Sequence, residues 1–257
     1  MTTTSHMRSA GRWLAAGVGF AGAAYATYVG VTWYRYGEPP RPTAEDEDEW
    51  LDRFMPAYEV IERHHVRVHA PAEITLAAAQ QMDLLHSPVV RAIFKGRELI
   101  LGSTPDHRPR PRGLLAEVQA LGWGVLAAVP GREIVMGAVT KPWEANPTFR
   151  ALPPDEFPAF SEPDYVKIVW TLRADPVGVA DSVFRTETRV ATTDSAARAK
   201  FRRYWSFLSP GISLIRWMSL RPLKAEAERR ARGRDTSADL IAQRQPARHQ
   251  WSWNALR

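Results

Sequence analysis

Apolar and polar side chains alternate with the two-residue period of a β-strand along three stretches of this chain. The stretches are residues 58–70, 164–174 and 182–192, and each predicts a strand with one buried face. The inward face of the second strand is predicted to carry Val166, Ile168, Trp170 and Leu172.

A further region, residues 122–140, has apolar residues at successive positions on both sides of the turn Pro130-Gly131. That pattern predicts a β-hairpin that is buried on both faces. Residues 141–163 follow as a loop rich in proline and aromatic side chains. A loop of this length is typical of a lid or a cavity wall.

Helical signals lie between the first strand and the hairpin. Pro71 opens a predicted helix over residues 71–83, and Ser87-Pro88 opens a second one with an N-cap serine followed by proline. A short third helix is predicted over residues 114–121.

The longest predicted helix runs from about Asp194 to Arg232. Pro210 removes one of its backbone hydrogen bonds, so we expect a kink or a break near Ser209. Its buried stripe, at steps of three or four residues, is predicted to be Ala197, Phe201, Trp205, Leu208, Ile212, Ile215 and Met218.

The amino-terminal residues 13–34 carry no charged side chain. A helix of that length spans about 33 Å, enough to cross a bilayer. Trp13, Trp33 and Tyr34 provide interfacial aromatic rings at its ends. The segment therefore predicts a single-pass transmembrane anchor.

Two alternatives for this segment stay open. Ala24-Tyr25-Ala26 has the form of a signal-peptidase site, so cleavage near Ala26 would release a secreted protein. Alternatively, the helix is buried within a soluble fold. The orientation of an anchor is not determined, because arginines flank the segment equally on both sides: Arg8, Arg12, Arg35 and Arg41.

Composition divides the chain into four parts. Residues 1–36 hold the anchor, and residues 37–49 form a linker with several prolines followed by an acidic run. Residues 50–232 form the folded domain, and residues 233–257 are predicted to be a basic, disordered tail.

The net charge of +6 is unevenly distributed. Residues 198–257 contain fourteen lysines and arginines against four acidic residues, whereas the rest of the chain carries a net charge of −4. A basic region of this kind indicates contact with anionic lipid or with an acidic protein. Nucleic-acid binding is not favoured, because the sequence has no helix-turn-helix, RNP or zinc-finger pattern.

Several kinds of chemistry are excluded or unsupported. A chain with no cysteine cannot form disulfides, a thiol nucleophile, an iron–sulfur cluster or a thiolate zinc site. Serine-hydrolase, P-loop and dinucleotide motifs are also lacking, so no cofactor is predicted. His65 and His69 share a strand face with Arg67 between them, which disfavours a metal ion, and His64 points the other way. No catalytic residue stands out.

Glu187 lies between Arg185 and Arg189 on one face of a predicted strand. The carboxylate should therefore be ionised and paired, which favours a structural ion triad. The same three residues are alternative candidates for contacting the polar head group of a ligand.

Two runs of sequence carry a resemblance to a known superfamily. HHVRVHAPAEITLAAAQQMD resembles the first strand and helix of SRPBCC (START-like, polyketide cyclase/dehydrase-like) proteins. TETRVATTDSAARAKFRRYW and PGISLIRWMSLRPLKAEAERR are similar to the last strand and final helix of its bacterial, often actinobacterial, members of uncharacterised function. The resemblance covers about residues 50–232.

The resemblance implies an α+β helix-grip fold, in which an antiparallel sheet wraps a long carboxy-terminal helix. It also implies a hydrophobic small molecule or lipid held between the two. Cyclase or dehydratase chemistry, and an interaction protein with a filled cavity, are the alternatives. Candidates for lining the cavity are Trp143, Phe149, Phe157, Phe160, Trp170, Phe201 and Trp205.

Overall fold

The computed structural model describes residues 3–40, 42–43, 46–104 and 111–244, with side chains from Gly17 to Arg234 apart from a few positions. Its helices and strands follow one another along the chain in this order: α1 Thr3–Arg35, α2 Glu49–Phe54, β1 Val60–Val68, α3 Ala72–Gln80, α4 Pro88–Leu101, α5 Leu114–Ala120, β2 Gly124–Val129, β3 Glu133–Thr140, β4 Phe149–Arg150, β5 Val166–Pro176, β6 Ser182–Thr192 and α6 Ser195–Arg244.

All strands belong to one antiparallel sheet with the order β1-β6-β5-β3-β2, and the short β4 pairs with the end of β3. The first strand therefore lies beside the last one. The register places Glu62 opposite Thr188, and Thr188 opposite Trp170. Side chains two residues apart in a strand lie on the same face of the sheet. With the register known, every residue of the long strands can therefore be assigned to one of the two faces.

Each face of the sheet is covered by different elements. On the face that we call the inner face, α3 and α6 pack on a cluster that includes Met136, Trp170 and Phe184. On the opposite, outer face, α2 and residues 152–165 pack on Val135 and Val169. A sheet with one long carboxy-terminal helix packed across it is the architecture of the helix-grip fold.

Helix α6 is longer than the sequence predicted. It continues through Pro210 and Pro222 and ends at Arg244, so the expected break near Ser209 does not occur. Two tyrosines of α1 bond to α6 next to the proline: the Tyr25 hydroxyl donates to the Phe207 carbonyl at 2.7 Å, and the Tyr28 hydroxyl lies 3.2 Å from Ser209 Oγ. These contacts support the helix where Pro210 removes a hydrogen bond.

The limits of the predicted tail change as well. Helix α6 extends past residue 233 to Arg244, so the first part of the predicted tail is helical. The remainder, residues 245–257, lies outside the described residues.

Strand β2 corrects a detail of the predicted hairpin. Every residue of β3 is at least half-buried, but β2 exposes Val125 and Ala128 because it lies at the edge of the sheet. The long loop that follows contributes Phe157, which is fully buried on the outer face. The part of the loop from Leu152 to Phe160 therefore forms a wall on the side of the sheet opposite α6.

Helix α1 packs beside α6 and is otherwise exposed. Arg202 donates two hydrogen bonds to the Trp33 carbonyl, and its guanidinium lies 4.4 Å from the Trp33 ring centroid. Phe20 and Tyr34 are about four-fifths exposed, at 79% and 80%. Within the part of the chain described by the structure, no helix combines the length and apolar character that a membrane span requires.

Gly122 gives a direct test of the packing that connects β4 to the sheet. A Cβ atom at Gly122 would lie 2.1 Å from the Phe149 carbonyl oxygen, and the glycine has a φ of +105°. Gly178 also has a positive φ, +87°, but has open space around it. Urea denaturation should show Gly122→Ala costing more than about 3 kcal/mol and Gly178→Ala about 1 kcal/mol. Equal losses would mean that β4 does not approach Gly122 this closely.

Candidate functional site

The inner face is apolar at both ends and polar in the middle. At one end, Phe201 and Trp205 of α6 pack on Val60, Val166 and Val190. At the other end, α6 contributes Leu220, Leu223 and Ala227 to the cluster around α3. Between these two zones lie five polar residues that we call the inner polar cluster: Glu62, His64, Thr188, Ser213 and Arg216.

Arg216 occupies an inward position of α6. It follows Ile212 by four residues and precedes the buried Leu220 by four, so it lies on the stripe that faces the sheet. The sequence analysis placed Ile215 and Met218 on this stripe, and the structure leaves both half-buried, as it does Ile212 and Arg216. Arg216 is the single charged residue between Arg203 and Arg221. A lone charge in an otherwise uncharged stretch of helix is the sequence signal that could have identified it.

The guanidinium of Arg216 has no hydrogen-bond acceptor among the residues that the structure describes. Burial lowers the pKa of this guanidinium, and the charge of Glu62 opposes that effect only in part. An arginine side chain nevertheless stays protonated in a protein. The middle of the inner face therefore contains a half-buried cation that lacks a bonded partner among the described residues.

The remaining polar groups lie on the strands opposite. Glu62 accepts a hydrogen bond from Ser213 Oγ at 3.0 Å, and His64 Nε2 lies 3.3 Å from the other oxygen of Glu62. The Thr188 hydroxyl is buried and has no partner in the described structure. A cation and a hydroxyl that are both unsatisfied, next to an acid–imidazole pair, can bind an anionic or carbonyl oxygen and can transfer protons.

On the outer face, most charged side chains pair with one another, although Arg63 Nη2 is buried without a hydrogen-bond partner in the described structure. Arg189 is 2% exposed and bonds Glu187 and Asp52, both at 2.6 Å, and the Met55 carbonyl at 3.0 Å. Glu187 also accepts a 2.6 Å bond from Arg63. We call Arg63, Asp52, Glu187 and Arg189 the outer ion network.

The predicted ion triad is therefore paired differently from the expectation. Glu187 bonds Arg189 as expected, but its second arginine is Arg63 of the neighbouring strand. Arg185 instead bonds Asp175 at 3.2 Å. All three predicted head-group residues lie on the outer face, away from α6.

The seven predicted cavity residues are divided between the two faces. Those on the α6 side are Trp143, Trp170, Phe201 and Trp205. Phe149 joins this side indirectly: it stacks on Trp123, which meets Trp170 edge to face. Those on the outer face are Phe157 and Phe160. The sequence could not predict on which face of the sheet each aromatic residue of the 141–163 loop would lie, because a loop lacks the regular repeat of a strand or helix.

Two cavities lie on the outer face. One is a cleft of about 580 Å³ whose lining includes Trp50, Asp52, Glu133 and Arg173. The other, of about 40 Å³, is lined mainly by charged residues such as Arg63 and Glu187. Their polar linings differ from the apolar cavity that the resemblance implies.

Glu133 is a buried carboxyl group at the edge of the larger cleft. It is 5% exposed, accepts a hydrogen bond from Thr171 at 2.9 Å, and lies near Asp48. Burial and the neighbouring Asp48 carboxylate raise the pKa of Glu133 to about 7. Asp48 also caps α2 and pairs with Arg173 at 3.6 Å, so the acidic linker is bound to the sheet rather than solvated.

The histidines do not converge. His69 Nδ1 lies 2.8 Å from Asp181, at the exposed end of the sheet, while His64 faces α6. Among the described residues, no group of three or more histidine, aspartate or glutamate side chains could hold a metal ion.

Comparisons with known proteins give little further information. No protein-family model and no curated protein matches the chain. Similar solved structures include DR_A0006 from Deinococcus radiodurans, with 13% identity over 56% of this chain and 94% of that one, at a TM-score of 0.24.

Two polyketide proteins are also similar. The di-domain aromatase/cyclase BexL of the BE-7585A biosynthetic pathway has 16% identity over 66% of this chain and 46% of that one, at a TM-score of 0.23. The Zhui aromatase/cyclase from Streptomyces sp. R1128 has 14% identity over 66% of this chain and 94% of that one, at a TM-score of 0.21. TM-scores this low support no argument about function, so the fold assignment depends on strand order and the position of α6.

The outer ion network makes one prediction about stability. Arg189→Met should cost about 3–5 kcal/mol in the free energy of unfolding, because it leaves Glu187 without one of its buried partners. Arg185→Met, at a position whose side chain is 29% exposed, should cost less than about 1 kcal/mol. Chemical denaturation of the two variants checks this, and similar losses would show that burial of Arg189 does not matter.

Glu133 makes a second prediction, about pH. Since its folded pKa lies above that of an ordinary glutamate, its contribution to stability is full below about pH 4.5 and is lost as the pH rises through about 7. At pH 8, Glu133→Gln should therefore be about 1–3 kcal/mol more stable than the natural protein, and the difference should vanish towards pH 5. Denaturation curves across this range measure it, and a difference that is independent of pH would contradict the assignment.

Proposed function

We propose that this chain binds an amphipathic small molecule between the sheet and α6, with an acidic head group of the ligand paired to Arg216. The observation that carries the proposal is the inward-facing guanidinium without a bonded partner. A cation that is partly removed from water is costly unless an anion or several hydrogen bonds compensate for it. An acidic ligand would supply both.

The surroundings of Arg216 support an amphipathic ligand. Thr188 offers a second unsatisfied polar group close to the head-group position. The apolar zones on either side, around Trp205 and around Leu220, suit an extended hydrocarbon or ring system. The ligand class is then a hydrophobic acid, such as a fatty acid or an acidic polyketide-like molecule.

Membrane attachment through residues 13–34 is part of the same proposal. The uncharged sequence and the exposed side chains of α1 support it. A domain tethered at a bilayer meets lipid-like ligands at high effective concentration.

Native mass spectrometry of the full-length chain tests the ligand class. The chain should retain one molecule of palmitic acid. The fraction of chains that retain cetyl alcohol, which has the same hydrocarbon chain without the charge, should be at least about tenfold lower. Arg216→Gln should reduce retention of the acid to that of the alcohol. Arg203→Gln, an exposed arginine of the same helix, should leave it unchanged.

Stability provides an independent check on the same residue. In the absence of ligand, Arg216→Met should raise the free energy of unfolding by about 1 kcal/mol, because it removes a half-buried charge that has no bonded partner among the described residues. Failure to retain palmitic acid, together with a loss of stability in Arg216→Met, would contradict the proposal. The inner face would then be filled by side chains, as in an interaction protein.

The Glu62–His64 pair favours one further candidate function, a cyclase or dehydratase. These groups lie on the same face as Arg216 and could move protons on a bound ligand. To test this function, ligands are extracted from the natural protein and from His64→Gln, and their masses are compared. A difference of one water in ligand mass would indicate a dehydratase, and identical masses would indicate a carrier.

A further inference from the structure

The outward face of α6 carries a stripe in which basic side chains flank apolar ones. Its members recur at steps of three or four residues and therefore lie on one side of the helix, opposite Arg216. We call this set the outward stripe, and it consists of Lys200, Arg203, Phe207, Pro210, Leu214, Trp217, Arg221 and Lys224.

The apolar part of the stripe is exposed. Phe207 is 48% exposed, Leu214 41% and Trp217 56%. Single exposed apolar residues are common on protein surfaces, but these three are aligned over about 15 Å of helix. Aligned exposed apolar residues of this kind mark a surface that another molecule covers.

The charges around this apolar segment indicate which molecule that is. Between Ser195 and Ala225 the helix has seven basic residues and no acidic one. A second copy of the same surface would be repelled, so the partner has to be anionic. The Arg221 guanidinium also lies 5.7 Å from the Trp217 ring centroid, which brings a cation next to the largest exposed ring.

We propose that the outward stripe of α6 binds the surface of an anionic phospholipid bilayer, with the helix parallel to the membrane plane. Arg203 near one end of the stripe and Arg221 and Lys224 at the other contact lipid phosphates, whereas Lys200 is already bonded to Asp164 at 2.6 Å. Phe207, Leu214 and Trp217 enter the boundary between head groups and acyl chains.

The neighbouring helix favours lipid over an acidic protein as the partner. Helix α1 lies against α6 and exposes Phe20 and Val31, at 79% and 48%. A bilayer can cover the apolar residues of both helices, whereas an acidic protein surface would complement only the arginines of α6. This inference does not depend on the ligand of the inner face, because the outward stripe and Arg216 lie on opposite sides of α6.

Single-site fluorescence tests the proposal, because a chain without cysteine can be labelled at one introduced thiol. Full-length Leu214→Cys would carry an NBD fluorophore on the stripe. Val179→Cys, in the turn between β5 and β6 and 94% exposed, is the matched control. Each is mixed with vesicles of phosphatidylglycerol and phosphatidylcholine, or of phosphatidylcholine alone.

The expected result is a several-fold rise and a blue shift of emission at position 214 only with vesicles that contain phosphatidylglycerol, and no change at position 179. Adding Arg203→Gln and Arg221→Gln to the labelled variant should raise the vesicle concentration needed for half of the response about tenfold.

The proposal is overturned if the label at position 214 stays in water while the chain sediments with the vesicles. That outcome would mean that α1 alone holds the chain to lipid. An equal response to neutral vesicles would also overturn it, because the basic residues would then have no role.

Discussion

The pairing of charge that is removed from water is the constraint on which this structure depends. Arg189 is almost fully buried on the outer face and is stable there because Glu187, Asp52 and a backbone carbonyl compensate for it. Arg216 lies on the other side of the same sheet and has no such partner among the described residues. One arginine thus stabilises the fold, and the other is the residue that we propose for ligand binding.

Helix α6 connects the two proposals. The inward stripe of the helix combines apolar residues with Arg216, and its outward stripe combines Phe207, Leu214 and Trp217 with flanking basic residues. A helix with two different amphipathic faces can lie between a bilayer and a ligand. The contacts of Tyr25 and Trp33 fix α1 beside it, so α1 and the inner face of the sheet are connected through α6.

The sequence predicted the strands and the helix starts well, because their signals are local. Alternation identified β1, β5 and β6, and Ser87 caps α4 as its sequence indicated. The predicted hairpin formed, but the exposure of β2 depends on its place at the sheet edge, which no local pattern encodes. Likewise, the local pattern did not reveal that α6 continues through Pro210, next to which Tyr25 of the distant α1 bonds the helix.

The candidate site was harder to predict than the helices and strands. Its composition depends on which face of the sheet each side chain occupies. Trp170, Phe201 and Trp205 were expected near a cavity and do lie on the α6 side, while Phe157 and Phe160 lie on the other side of the sheet. Arg216 was missed because the predicted stripe followed the neighbouring apolar residues Ile215 and Met218, which are half-buried like Arg216 itself. The pairing of Glu187 with Arg63 required knowledge of the β1–β6 register.

The most direct test of the central claim is a crystal structure of the full chain with a long-chain carboxylic acid that carries bromine at its far end. The account predicts the carboxylate within hydrogen-bond distance of the Arg216 guanidinium, and the bromine against the apolar residues near Trp205 or Leu220. A carboxylate bound in the outer cleft beside Arg173, with the inner face closed by side chains, would contradict it.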